Sequence, residues 1–134
     1  MRVLDRATYR KIEWHLFNYH ALLKRISEKR DDALYGAPER AEGRASGRLS
    51  DPTALRGISL LDGQDWVRVI DSTVSKYTGT EKQRMMILFY FEGKHINAVC
   101  CELAIEQATF YRWRTEIVLC AALYAARERL IQVA

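Results

Sequence analysis

The stretch from Thr80 to Leu119 constrains this chain more than any other, because three apolar patterns of helical period sit there between two short breaks. Thr80 followed three residues later by Gln83 forms a capping box, which starts a helix by satisfying its first free N–H groups. Met85, Ile87, Leu88 and Phe91 supply the core contacts of that helix, and Gly93 ends it by accepting a left-handed backbone. A second, short helix fits His95 to Leu103, with Ile96, Val99, Cys100 and Leu103 as its apolar residues. Ala104-Ile105-Glu106 is a three-residue break. A third helix starts near Gln107 and carries Phe110, Trp113 and Ile117 inward.

Two helices joined by so short a turn must cross closely, and the residue types suit that demand. Cys100 is small where the helices touch, Ala104 is small in the turn, and Ile105 fills the gap beneath it. The pattern is that of a helix-turn-helix, whose last helix is anchored by Phe110 and Trp113. Gln107, Ala108, Tyr111, Arg112 and Thr115 then lie on the opposite face, free to enter a major groove. Arg112 suits guanine and Gln107 suits adenine, while Ala108 offers only an apolar contact such as a thymine methyl. Arg114 and Lys94 are better placed for phosphate. Glu106 opens the recognition helix. A carboxylate can cap there and suits the helix dipole, and it can accept from a cytosine amino group, but it repels phosphate. With two arginines and a nearby acid, the electrostatic contribution of this helix is modest. Arg2, Arg6, Arg10 and Lys11 are candidates to add to it.

The frame Gln83-Arg84, Leu88 to Gly93, Val99 to Ile105 and Thr109 to Arg114 resembles region 4 of sigma-70-type factors in order and spacing. The Thr-Phe-Tyr-Arg-Trp-Arg run at 109–114 is closer still to the RinA-like and ArpU-like phage late-gene activators. Those chains also begin with a long helix bearing a motif like Leu16-Phe17-Asn18-Tyr19-His20, and they restart order at a motif like Asp51-Pro52-Thr53. The resemblance covers nearly the whole chain apart from residues 36–50. It implies an all-α helical bundle with a C-terminal sigma region 4-like helix-turn-helix and long N- and C-terminal helices. It also implies a prophage-borne activator that binds promoter DNA near RNA polymerase, with Gln107, Ala108, Tyr111 and Arg112 as base readers. Glu106 departs from the family, which usually has Ser or Thr there.

Elsewhere the pattern is helical too. Asp5 to about Asp32 is expected to be one long helix, with Tyr9, Ile12, Leu16, Tyr19, Leu23 and Ile26 on one stripe and Trp14, Phe17 and Ala21 on a second. Two apolar sides imply two neighbours, either within one core or in a second protomer. Residues 36–50 hold almost nothing large to bury and are expected to be a flexible linker. Its arginines, Arg40, Arg44 and Arg48, are solvated or touch phosphate. Asp51-Pro52 restarts order, with a short helix to about Leu61, a stop near Gly63, and another helix from about Gln64 to Tyr77 that buries Trp66, Val69, Ile70, Val74 and Tyr77. No strand pattern of useful length appears. After Trp113 the helical pattern continues without Gly or Pro, with Ile117, Cys120, Tyr124 and Ile131 on one stripe and Leu119, Leu123, Ala126 and Leu130 on another. A helix of about 25 residues would be roughly 38 Å long. Its distal half packs on the N-terminal helix, forms a homodimer, or simply completes the core of the monomer. The expected organisation is a long N-terminal helix at 1–35, a candidate oligomerisation element, the flexible linker at 36–50, and a helical DNA-binding domain at 51–134 with its helix-turn-helix at about 80–119.

Composition bounds the function. A net charge of +4 is compatible with a polyanionic partner without demanding one. Cys100, Cys101 and Cys120 lie in apolar helical sequence with no metal-ligand spacing, so buried thiols in a reducing compartment are expected and no metal or cofactor is. His15, His20 and His95 do not converge on one helical face, and no nucleophile–base pair or phosphate-cradling glycine loop is visible. No enzymatic activity is expected. The N-terminus lacks a signal-like apolar run and no stretch is long enough to cross a bilayer, which suits a cytoplasmic protein. The expected function is transcriptional regulation through double-stranded DNA. The alternatives are a helical adaptor for RNA polymerase or a sigma factor, and a DNA-recognition protein of the small-terminase kind.

Overall fold

A computed structural model describes residues 4–35 and 59–132, all of whose regular elements are helical. Asp5 starts the first of them by accepting the Thr8 N–H at 2.7 Å, and α1 runs Arg6–Phe17. The helix expected to continue unbroken to Asp32 is interrupted at Asn18, where φ and ψ are −106° and 20°. There the Asn18 amide and side-chain Nδ2 both donate to the Trp14 carbonyl, at 3.1 and 2.7 Å. An Asn that bonds its own backbone competes with the helical ladder, which accounts for the break. A second helix, α2, then runs Tyr19–Tyr35. Just after the break Leu22, 1% exposed, takes the buried place expected of Leu23, which is 38% exposed, while Ile26 is buried as expected.

The linker and the Asp51-Pro52 start fall outside the described residues. Helix α3 spans Leu60–Lys76, capped by the Ser59 hydroxyl, which accepts from Asp62 N at 3.0 Å. The expected stop at Gly63 does not occur. Gly63 is buried one turn inside the helix and its N–H donates to Ser59 O at 2.9 Å, so tertiary packing overrides its weak propensity. Trp66, Val69 and Ile70 are buried as expected, and Thr73 joins them by returning its hydroxyl to Val69 O at 2.8 Å.

Thr80 caps α4, Glu81–Met86, accepting from Gln83 N at 3.3 Å, while the Gln83 side chain reaches back to Gly79 N at 3.3 Å. This helix widens into a π-turn over Ile87–Phe91, in which Glu92 N–H donates to Ile87 O, five residues back, at 2.8 Å. The extra residue turns Leu88, Phe89 and Tyr90 inward. Ile87, expected in the core, is 36% exposed instead. Gly93 closes the turn at φ +75°, as its position suggested. Helices α5, Ile96–Leu103, and α6, Gln107–Arg127, complete the bundle. Helix α6 stops where Arg129 adopts φ +64° and Leu130 N–H reaches back to Ala125 O at 2.9 Å, so it has 21 residues.

One core joins all of these elements. Ile12, Leu16 and Leu22 from the first two helices pack with Trp66, Val69 and Ile70 from α3, with Met85, Met86 and Tyr90, and with Phe110, Ile117, Val118 and Ala125 from α6. The N-terminal segment is therefore part of the bundle's interior. Leu130 and Ile131 pack against the same core, while Leu123 is exposed. No helix among the described residues is long and apolar enough to cross a membrane.

Candidate nucleic-acid interface

The geometry between α5 and α6 comes from three residues. Ala104 takes φ 57° and ψ 48°, a left-handed conformation usually given to glycine, and its unbranched methyl costs less there than a β-branched side chain would. Ile105 N–H then donates to Cys100 O at 3.0 Å, which closes the helix end, and the Ile105 side chain packs on the core. Glu106 stands at the N-cap of α6 but makes no side-chain cap bond, so the expected capping is absent and its carboxylate faces solvent.

Fully buried Phe110 and Ile117, with partly buried Trp113, fix the inner face of α6. Gln107, Ala108, Tyr111, Arg112 and Thr115 are all exposed on the outer face. Gln107 is held in place: its Nε2 donates to Asn97 Oδ1 at 2.8 Å, across from α5. The sequence reading missed Asn97. It sits in the first turn of α5, ten positions before Gln107, and only the left-handed turn at Ala104 brings the two together. Thr115 returns its hydroxyl to Tyr111 O at 3.1 Å. Arg112 makes no ion pair among the described residues.

The two residues expected at phosphate have other partners. Arg114 is 23% exposed and forms a two-pronged pair with Glu13 of α1, Nε to Oε2 at 2.6 Å and Nη2 to Oε1 at 2.8 Å. Its guanidinium also lies 5.1 Å from the centre of the Phe89 ring. The Glu13 hydrogen bonds hold Arg114 charged, above its already high ordinary range. Tyr90 donates to the same carboxylate at 2.5 Å, and burial, together with that negative charge, keeps its phenol protonated. Arg114 is thus engaged inside the fold, and its guanidinium is not free at the surface as expected. Lys94 remains exposed but pairs with Glu102 at 3.1 Å and approaches Glu92 at 4.0 Å.

Charge is evenly matched across this unit. Residues 80–119 hold five Lys and Arg against five Asp and Glu, so the unit is formally neutral and the net +4 arises elsewhere. Arg84 pairs with Glu81 and Glu102, and Lys82 with Glu116. Such exposed pairs add little stability, but they lower the positive potential. The outer face of α6 can therefore offer shape and a few directed polar groups, with Arg112 as its cation. No group of three His, Cys, Asp or Glu among the described residues is arranged to hold a metal. Comparison with known proteins finds no matching family model, curated protein or solved structure.

Proposed function

We propose that α5, the Ala104 turn and α6 act as a helix-turn-helix that reads duplex DNA, and that the protein regulates transcription. The observation that carries this reading is the outer face of α6. Gln107, Ala108, Tyr111, Arg112 and Thr115 are exposed to solvent on a helix whose other side is locked by Phe110 and Ile117. Rigid placement of a few polar groups is what base readout requires. Asn97 uses one Gln107 N–H, which leaves a second N–H and the Oε1 acceptor for the two-point contact that adenine offers. Arg112 is the guanine reader in this account. Lys94 and Glu106 flank the reading turn, where Glu106 disfavours phosphate and suits a cytosine amino group. The likeness of Thr109 to Arg114 to phage late-gene activators supports a role beside RNA polymerase in a cytoplasmic, phage-derived setting.

The formal neutrality of residues 80–119 supports a second reading, a helical adaptor that binds polymerase or a sigma factor through the same face. Fluorescence anisotropy separates the two. On a duplex bearing a site selected by the wild type, Arg112→Ala should weaken binding by about 1–3 kcal/mol, roughly 5- to 150-fold. Equal binding of both proteins to every duplex would favour the adaptor.

A further inference from the structure

We propose that Arg6 and Arg10 of α1 form a phosphate-binding shoulder beside the outer face of α6, so that one helix grips DNA while the other reads it. This rests on the DNA-binding reading above. The need for such a shoulder follows from charge. The reading unit is formally neutral and Arg114 is turned inward, whereas residues 1–35 hold eight Lys and Arg against five Asp and Glu. Affinity for a duplex comes largely from cations at phosphate, and α6 with its immediate neighbours has few to give.

The placement follows from the packing of α1. At about 100° per residue, Arg6, Arg10, Glu13 and Phe17 fall on one side of the helix. That side is fixed at two points. Glu13 clamps Arg114, and Phe17 packs edge-on against Phe89 and Tyr90, with ring centres 5.2 and 4.8 Å away. Tyr9, about 60° around the helix from Arg6 and about 100° from Arg10, lies close enough to Thr115, the last residue of the reading face, and to Arg114 for both to act on its phenol. Arg6 and Arg10 are exposed on the free part of this side and make no ion pair among the described residues. The nearest acid in sequence, Asp5, is engaged by Thr8 N–H. From Gln107 to Thr115 the reading face is about 12 Å long, close to the width of the major groove. A helix that enters by its N-terminal turns therefore emerges at the groove's rim near Thr115, where phosphates lie and where α1 brings its arginines. Lys11 lies about 160° around α1 from Glu13 and is outside the shoulder.

The test titrates two 20-base-pair duplexes, one bearing a site selected by the wild type and one of unrelated sequence, at several salt concentrations with the wild type, Arg6→Ala/Arg10→Ala, Lys11→Ala and Arg112→Ala. Circular dichroism confirms the fold of each protein. The double variant should lower the slope of log affinity against log salt by about 1.8 and weaken binding at 0.1 M salt by roughly tenfold or more, equally on all sequences. Lys11→Ala should leave both unchanged. A double variant with the wild-type slope overturns the shoulder. If Arg112→Ala still alters sequence preference in that case, the reading of DNA by α6 stands without it. A wild type that binds no duplex overturns both.

Discussion

Glu13 and Arg114 lie 101 positions apart and meet through two parallel hydrogen bonds, with Tyr90 donating a third to the same carboxylate. The pair fastens the N-terminal helix α1 to α6, whose outer face is proposed to read DNA. Removing one member leaves the other charge in a mostly buried site, which costs far more than the pair contributes. Glu13→Ala should therefore destabilise the fold by about 3 kcal/mol in urea unfolding. A double-mutant cycle of Glu13→Leu with Arg114→Met should show coupling of about 1–3 kcal/mol. Additive single effects would mean that the two side chains do not act together.

His15 gives the fold a dependence on pH. It is buried, stacked on Trp66 with ring centres 3.8 Å apart, and 2.7 Å from the Lys11 carbonyl. A carbonyl only accepts, so Nδ1 carries the proton of the neutral ring. Burial pushes its pKa down to about 4, against the smaller opposing effect of that hydrogen bond. Because the folded value is depressed, the unfolded chain binds the proton first as pH falls. Stability is full above about 6.5 and is lost between there and about 4, by up to about 3 kcal/mol. Denaturant unfolding from pH 7.5 to 4.5 should show this slope, and His15→Phe should flatten it. An equal slope in both proteins would place the dependence elsewhere.

Ala104 holds a left-handed turn without being glycine. Relief of about 1–2 kcal/mol of local strain in Ala104→Gly outweighs the roughly 0.4–1 kcal/mol of added unfolded-chain entropy. The melting temperature should rise by a few degrees, while Ala104→Val should lower it. A lower melting temperature for the glycine variant would show that the turn carries no strain.

Much of this was legible in the sequence because it depends on local period and chemistry. Val99, Leu103, Phe110 and Ile117 are buried where helical spacing puts them, and Thr80 and Gly93 begin and end their helix as their types suggest. The exposed set Gln107, Ala108, Tyr111, Arg112 and Thr115 follows from the same period. What was illegible depends on tertiary partners. Arg114 looks like a surface cation until Glu13 is folded against it. One residue of π-turn redirects Ile87, Phe89 and Tyr90, and one self-bonding Asn18 exchanges Leu23 for Leu22, because each disturbs a helical register that sequence spacing assumes to be constant.

The central claim is that α6 reads base pairs through Gln107 and Arg112. Its most direct test is selection from a random duplex library by the wild type and by Arg112→Ala, followed by sequencing. The account predicts one enriched site for the wild type, and loss of preference in the variant at a single G·C pair with the rest of the site retained. No enrichment by the wild type, or an identical site for both proteins, would contradict it.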